Sequence, residues 1–188
     1  MDVITKLAWK GIENATFEHC TVTRSPGNIL VQSKLEGPVN NVHTIVEYEV
    51  RLTTSWIVTS VLLKMTLAGA SEQVIKLTHN KLGDWADDSL HTLTDLETCM
   101  DVDISVTPFT NTLPLKRLCF KTGESRELKM VYFDLPSFEV KASRQRYTYL
   151  GNNRFIYEGI DTGYKNEIAF TPDGFVKLYP GLFELAPV

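Results

Sequence analysis

Two carboxylates near the middle of the chain have the spacing of a reactive pair. Asp101 and Asp103 lie two residues apart in the run DVDISV. On one strand face their side chains would be separated by about 7 Å, which resembles the spacing used by glycoside hydrolases. Catalytic carboxylates normally come from different elements, so a hydrated or cap-forming role is the more ordinary interpretation. A hydrolase that uses this pair on a sugar or ester is one alternative function.

The same run begins like a calcium-binding loop, with Asp101, Asp103 and Ser105 at alternate positions. Val106 stands where that loop needs glycine, and Thr112 stands where it needs a bidentate glutamate. The four histidines are spread along the chain and show no ligand spacing. A phosphate-binding glycine loop and a nucleophile elbow are both missing from the sequence. The sequence therefore predicts no metal, no cofactor and no catalytic residue.

Polar and apolar residues alternate over a short distance after the carboxylate pair. The polar members are Thr107, Thr110, Asn111, Thr112, Lys116 and Arg117, and the apolar members are Phe109, Leu113, Leu115 and Leu118. In one interpretation the apolar side chains close one end of a curved sheet, and the hydroxyls and amide satisfy exposed backbone groups. In the other, free backbone donors and Arg117 face a polar or anionic ligand head group. The local sequence leaves both open.

Aromatic residues recur in the last quarter of the chain, with Gln145 beside them. They are Tyr147, Tyr149, Phe155, Tyr157, Phe170 and Tyr179. Large aromatics dominate most protein cores, so a plain core is the simpler interpretation. They could also line a pocket in which a few polar groups orient the ligand. Aromatic rings also stack on sugars, and a site for a sugar-containing ligand would need this wall together with Asn111, Arg117 and Gln145 at one end.

The elements that would position these groups follow a two-residue period. The clearest example is the run from Val46 to Leu52, in which apolar residues alternate with Glu47, Glu49 and Arg51. This alternation is typical of a sheet with one buried face. Further strands are predicted between turn residues along the chain, including a hairpin that reverses at Gly151, Asn152 and Asn153. Residues 84–100 fit a helix or a loop equally well.

The carboxylate pair is predicted to lie on a half-buried strand that ends near Thr107. The Thr107 hydroxyl can cap a helix, Pro108 suits the first helical position, and Pro114 limits how far the turns continue. One or two short helices are therefore expected near residues 107–118. An earlier strand is predicted to end at Gly37 and Pro38.

Length and composition indicate one globular domain over residues 1–188. The net charge of −4, without a basic tract, disfavours a nucleic-acid partner. The three cysteines are too far apart for a zinc or redox motif, so buried free thiols are expected. The first residues do not resemble a secretory signal, and the most apolar stretch is too short to span a bilayer. These features predict a cytoplasmic protein without a membrane span, and they leave its oligomeric state open.

Three runs resemble the putative glycolipid-binding family of small bacterial proteins. They are DVDISVTPFTNTLPLKRL from Asp101, QRYTYLGNNRFIYEG from Gln145 and DGFVKLYPGLFEL from Asp173. Residues around Trp9 and the Tyr48 to Trp56 region fit the family pattern more loosely. The resemblance implies an all-β, spirally curved sheet, similar in shape to bacterial lipoprotein carriers. It also implies an inner cavity for an apolar or amphipathic ligand.

Together these observations predict a mainly β protein built on a single curved, spiral-like antiparallel sheet or half-open barrel. Its expected function is to hold a lipid or glycolipid in the concavity of that sheet. A scaffold module whose cavity is filled by side chains is a further alternative. The candidate ligand-binding residues are Asp103, Thr107, Thr110, Asn111, Arg117, Gln145, Tyr147 and Tyr157.

Overall fold

A computed structural model of the protein describes residues 1–80 and 83–188. Within these residues, 14 strands form one curved sheet that does not close into a barrel. In chain order they are β1 (Val3–Gly11), β2 (Phe17–Ser25), β3 (Asn28–Val39), β4 (Val42–Leu52), β5 (Val58–Leu67), β6 (Gln73–His79), β7 (Trp85–Ala86), β8 (Asp101–Ile104), β9 (Ser125–Asp134), β10 (Glu139–Gly151), β11 (Arg154–Gly159), β12 (Lys165–Phe170), β13 (Val176–Tyr179) and β14 (Phe183–Ala186). The predicted mainly β, curved and half-open fold is confirmed.

The chain starts in the middle of the sheet, builds one half outward to an edge, and then builds the other half from the opposite edge back to the middle. Strands β1 to β7 run in order to one edge, the chain crosses to the opposite edge at β8, and β9 to β14 return until β14 pairs with β1. The two edge strands, β7 and β8, do not pair with each other. Trp85 Nε1 in β7 instead donates a hydrogen bond at 2.8 Å to the carbonyl of Cys99, two residues before β8 begins.

One strand pair departs from the predicted antiparallel arrangement. β8 runs parallel to β9, with Asp103 opposite Tyr132. Parallel neighbours need a long crossover connection, and residues 105–124 provide it. All four residues of β8 are buried, so the half-buried strand predicted for this run is wrong. The crossover segment covers the face of β8 that carries Asp101 and Asp103, which the prediction had exposed to solvent.

The alternation of β4 has the predicted meaning. Val46, Tyr48, Val50 and Leu52 are buried, whereas Glu47 and Arg51 on the opposite face are exposed. The charged face of β4 therefore points into water and not into the concavity. The hairpin between β10 and β11 also reverses where expected, with Asn152 and Asn153 at φ 52° and 58°.

The predicted end of a strand at Gly37 and Pro38 is wrong, because β3 continues to Val39. Gly37 adopts φ +144° there, and a Cβ atom at this position would lie 2.7 Å from Thr16 Cα. Glycine is thus needed for a close approach between backbones within the strand, and the residue does not mark a turn.

The crossover contains a 3-10 turn, Phe109–Asn111, followed by the short helix α1, Thr112–Arg117. As expected of a cap, the Thr107 hydroxyl accepts a hydrogen bond from the Phe109 N–H at 3.1 Å. Pro114 does not limit the helix, since it is the third residue of α1 and the helix continues for three more. A proline is tolerated in the first turn of an α-helix, where its fixed φ is compatible with the helix.

The stretch from Asp84 to Met100 contains β7, a 3-10 turn at Thr94–Leu96, and otherwise turns and irregular backbone. The loop alternative was the better description of it. A turn predicted from Asn80 to Gly83 includes residues 81 and 82, which lie outside the described residues.

The crossover fills the concave side of one half of the sheet. Phe109 and Leu113 are completely buried, and the Phe109 ring lies 6.4 Å from the rings of both Trp9 and Tyr48. A second, smaller apolar cluster lies under the strands of the other half. The apolar residues of the crossover therefore close one end of the curved sheet, as the first interpretation of this segment expected. Whether its polar residues face a ligand depends on the space beside them.

Candidate functional site

A cavity of about 630 Å³ opens between the polar side of the crossover and the inner face of β9 to β14. Its volume falls within the range of sites that hold drug-sized ligands, roughly 300–1,000 Å³. The lining is mostly polar and aromatic. It comprises Asp103, Ile104, Ser105, Thr107, Asn111, Tyr132, Asp134, Lys141, Ala142, Ser143, Tyr157, Gly159, Asp161, Thr162, Tyr164, Tyr179, Leu182 and Phe183.

Asp103 lies at the floor of this cavity and is 8% exposed. The Thr110 hydroxyl donates a hydrogen bond to its Oδ1 at 3.0 Å, and Gln145 Nε2 donates one to its Oδ2 at 2.6 Å. Burial raises the pKa of Asp103, and these two hydrogen bonds lower it by less. Both donors are uncharged, so the carboxyl group is oriented without being neutralised.

A second set of hydrogen bonds fixes the amide side chains next to Asp103. Asn111 Nδ2 donates to the Tyr147 hydroxyl at 2.9 Å, and that hydroxyl donates to Gln145 Oε1 at 3.4 Å. Tyr147 and Gln145 are completely buried, and Asn111 is 5% exposed. The chain Asn111, Tyr147, Gln145 and Asp103 thus forms one connected network beneath the cavity, in which each side chain limits the orientation of the next.

Three tyrosine rings face one another at the wall of the cavity. The ring centroids of Tyr157 lie 6.1 Å from those of both Tyr164 and Tyr179, and the latter two lie 6.5 Å apart. Burial, followed by the charge of Asp103, raises the pKa of Tyr157, and the same causes raise the pKa of Tyr132 to about 12. Tyr157 and Tyr132 are therefore neutral hydroxyls at physiological pH, able both to donate and to accept hydrogen bonds.

The aromatic residues of the C-terminal strands divide between core and cavity. Phe155 and Phe170 pack in the second apolar cluster, as the plain core interpretation expected, and Tyr149 packs against it. Tyr157 and Tyr179 belong to the cavity wall as well. Neither interpretation of the aromatic set was complete.

The two carboxylates of the predicted pair have different surroundings. Asp101 is completely buried and accepts hydrogen bonds from Arg117 Nε at 3.2 Å and Nη2 at 2.5 Å. Of the two, only Asp103 lines the cavity. A two-carboxylate hydrolase mechanism needs both groups to face the same substrate. The structure therefore offers no support for the hydrolase alternative through this pair.

The structure separates the predicted site residues into three groups. Asp103, Thr107, Asn111 and Tyr157 line the cavity. Thr110, Gln145 and Tyr147 lie behind the lining and hold Asp103 and Asn111 in place. Arg117 lies elsewhere, with its guanidinium group committed to Asp101. The expectation that Arg117 faces a ligand head group stays a prediction, and the observed partner of its guanidinium group is Asp101.

Sequence reasoning missed a buried acid that contacts the cavity lining through Thr107. Glu18 Oε1 accepts hydrogen bonds from the hydroxyls of Ser33 and Tyr48, both at 2.6 Å, and of Thr107 at 2.9 Å. Within the described residues, Glu18 Oε2 has no hydrogen-bond partner. Burial raises the pKa of Glu18 more than the three hydroxyls lower it. The available signal was its place on the buried face of β2, two residues before Cys20.

The raised pKa of Glu18 predicts a measurable pH dependence of stability. Between its ordinary value of about 4.3 and the raised value, the folded chain binds more protons at Glu18 than the unfolded chain. The stabilisation from this group is thus complete at low pH and is lost as the pH rises through that interval. Urea unfolding at a series of pH values should show that, as the pH rises, the free energy of unfolding of wild type falls relative to that of Glu18→Gln.

The control for this measurement is Glu47→Gln on the exposed face of β4. Its curve of unfolding free energy against pH should run parallel to that of wild type. A curve for Glu18→Gln that also runs parallel to wild type would contradict the prediction.

Few other groups in the structure suggest chemistry. Cys20 and Cys99 are buried free thiols as predicted, but Cys119 is exposed, because it follows α1 in the irregular connection to β9. Among residues 1–80 and 83–188, no three His, Cys, Asp or Glu side chains converge in a way that could hold a metal ion. No helix built from those residues is long and apolar enough to cross a membrane.

Comparisons with known proteins show which structures and families this chain resembles. The chain resembles the crystal structure of a DUF1089 family protein from Pseudomonas aeruginosa, with a TM-score of 0.81 and 26% sequence identity. The match covers 90% of this chain and 91% of the other. A search of curated proteins finds no match. A family model described as putative glycolipid-binding matches residues 6–184. The chain therefore belongs to the putative glycolipid-binding family.

Proposed function

We propose that the protein binds the sugar head group of an amphipathic molecule in the tyrosine-walled cavity. The observation that carries this proposal is the composition of the lining, which combines aromatic rings with fixed hydrogen-bonding groups. Sugars present hydroxyls around their edges and C–H groups on their faces, so they suit a site that offers both hydroxyl partners and ring surfaces. The family name supports a ligand of this class.

The floor of the cavity is preorganised for hydrogen bonding. Asp103 and Asn111 are held by Thr110, Gln145 and Tyr147 before any ligand arrives. A site whose polar groups are already fixed loses little conformational entropy on binding. The carboxylate can accept hydrogen bonds from sugar hydroxyls with its remaining lone pairs.

The cavity also has an apolar part, which suits the start of an alkyl chain. Ile104, Leu182 and Phe183 contribute to the lining, and Phe183 lies with its ring centroid 6.4 Å from that of Tyr179. An amphipathic ligand would therefore place its sugar against the Asp103 floor and its first methylene groups against these side chains. The scaffold alternative requires a cavity filled by side chains, and the open volume of about 630 Å³ argues against it.

Binding can be tested with alkyl glycosides as probes. Native mass spectrometry and isothermal titration calorimetry with octyl glucoside and dodecyl maltoside should detect a complex of one protein with one ligand. Saturation at about 100 times Kd should stabilise the fold by about 2.7 kcal/mol. The absence of both a complex and a thermal shift would overturn the proposal.

The tyrosine wall gives a specific mutational prediction. Tyr164 is 40% exposed and contributes one ring of the triad, so Tyr164→Ala removes binding surface with little loss of core. We expect Kd for alkyl glycosides to rise about fivefold, equivalent to roughly 1 kcal/mol of aromatic contact. Calorimetric titration measures the change.

The matched control is Tyr149→Ala. Tyr149 packs on Phe155 with a centroid separation of 4.6 Å and lies outside the cavity lining. Its substitution should leave Kd within about twofold of wild type, a difference of roughly 0.4 kcal/mol. Equal losses in the two variants would contradict a role for the tyrosine triad in binding.

A further inference from the structure

We infer that the cavity selects head groups that carry a cationic amine, such as an amino sugar, over neutral and anionic ones. This inference rests on the proposed function and specifies the ligand class of the same site. Its basis is a contrast between two aspartates of β8, the charges of the lining, and the arrangement of the tyrosine rings.

The two buried aspartates of β8 are satisfied in different ways. Asp101 has a cation of its own, since Arg117 Nη2 lies 2.5 Å from its Oδ2. Asp103, two residues along the same strand face, receives hydrogen bonds from the neutral groups of Thr110 and Gln145. No salt bridge reaches Asp103 from any residue that the structure describes. A buried carboxylate without a counter-ion is costly, and a cationic ligand group in the adjacent cavity would supply one.

The remaining charges of the lining do not supply this cation. Lys141 is the lining residue with a basic side chain, and its Nζ lies 3.0 Å from Glu139 Oε2. Asp161 is paired with Arg144 at 3.0 Å. Asp134 adds a further carboxylate, for which no salt bridge is found in the described part of the chain. The cavity therefore has an excess of negative charge over positive charge, which repels phosphate, sulfate and carboxylate head groups.

The tyrosine triad suits a cation for an independent reason. The rings of Tyr157, Tyr164 and Tyr179 lie 6.1–6.5 Å apart and are inclined to one another by 43–62°. An ammonium group in the cavity that approaches an exposed face of one of these rings to within about 6 Å of its centroid would gain cation–π attraction, which neutral and anionic groups would not. A carboxylate floor and an aromatic wall thus favour the same charge.

Three octyl amphiphiles of equal chain length distinguish the possibilities at neutral pH. They are octyl glucoside, octyl 6-amino-6-deoxyglucoside and octyl glucuronide, which are neutral, cationic and anionic. Calorimetry on the purified full chain should show the amino sugar binding about tenfold more tightly than the glucoside, and the glucuronide binding least. Equal or weaker binding of the amino sugar would overturn the inference while leaving the proposed function intact. Binding of none of the three would overturn both.

Asp103→Asn tests the source of the preference because asparagine keeps the shape of the side chain and removes its charge. The preference for the amino sugar over the glucoside should fall to about twofold or less. Asp95→Asn, an exposed position in the 3-10 turn that follows β7, makes the same charge change away from the cavity and should keep the preference. If Asp103→Asn fails to fold, Asp134→Asn provides the second test and should reduce the preference in part. A preference unchanged in the cavity variants would overturn the inference.

Discussion

Replacing Arg117 with leucine is expected to destabilise the fold by about 3–5 kcal/mol. The side chain of Asp101 is 1% exposed, and that of Arg117 is 15% exposed. Removing the guanidinium group leaves a buried carboxylate without its partner, although burial raises the pKa of Asp101 even when Arg117 is present. Urea unfolding at neutral pH measures the loss. The deficit should shrink at acid pH, because a protonated Asp101 no longer needs a counter-ion.

A surface arginine provides the comparison for Arg117→Leu. Arg146 contacts Glu127 and Glu158 on the outer side of the sheet, and its side chain is 38% exposed. Exposed ion pairs contribute little, so Arg146→Leu should change the unfolding midpoint far less than Arg117→Leu. If the two variants unfold at similar urea concentrations, the buried pair is not a determinant of stability.

The strands of this fold could be predicted because their signal is local. In β4 the alternation of Val46, Tyr48, Val50 and Leu52 with charged residues identifies both the strand and its buried face. In the β10–β11 hairpin two asparagines mark the reversal. These patterns depend on residues that are near one another in the sequence, and the structure agrees with them.

The parallel pairing of β8 could not be predicted in the same way. The run from Asp101 to Ile104 alternates like a half-buried strand, but it is buried on both faces because a distant segment covers it. Its direction relative to β9 depends on the path of the crossover and not on its own four residues. The extent of β3 also depends on a distant residue, because Gly37 allows a close contact with Thr16 and does not form a turn.

The candidate site could be predicted in its residue types but not in its partners. Asp103 and Asn111 stood out as polar groups around the predicted strand end near Thr107, and Tyr157 stood out as a member of the C-terminal aromatic set. Sequence alone could not assign the single guanidinium of Arg117 to Asp101, since that choice depends on which side of α1 faces β8. Tyr164 was missed because it precedes β12 in an irregular segment, where no periodicity assigns a side chain to a face.

The crossover has opposite effects on the two halves of the concavity. Phe109 and Leu113 fill the space under β1 to β7, whereas under β9 to β14 Leu115 and Phe120 pack against the second apolar cluster and the polar residues line a cavity. About eight strands enclose an interior that their own side chains can fill, so a curved sheet of 14 strands leaves volume for an inserted segment or a ligand. The residue composition of the crossover thus determines which half of the concavity is filled by side chains and which half has room for a ligand.

The filling role of the crossover predicts a large effect of Phe109→Ala. Phe109 is completely buried between Trp9 and Tyr48, and shortening it creates a cavity that the surrounding strands cannot close. We expect a loss of about 3–5 kcal/mol in the free energy of unfolding. Urea denaturation should show a lower midpoint with an unchanged slope. Phe17→Ala, at a position 39% exposed on the outer face of β2, should cost much less.

Benzene distinguishes a true cavity from a general loosening of the fold. An apolar cavity of this kind stays dry and binds benzene, so saturating benzene should recover part of the stability that Phe109→Ala loses. Wild type should gain less from benzene than the variant does, because the Phe109 ring already occupies this space and any binding in the tyrosine-walled cavity is common to both chains. A loss below about 1 kcal/mol would show that the strands of this half do not depend on the inserted ring. The division of the concavity into a filled half and an open half would then have no energetic basis.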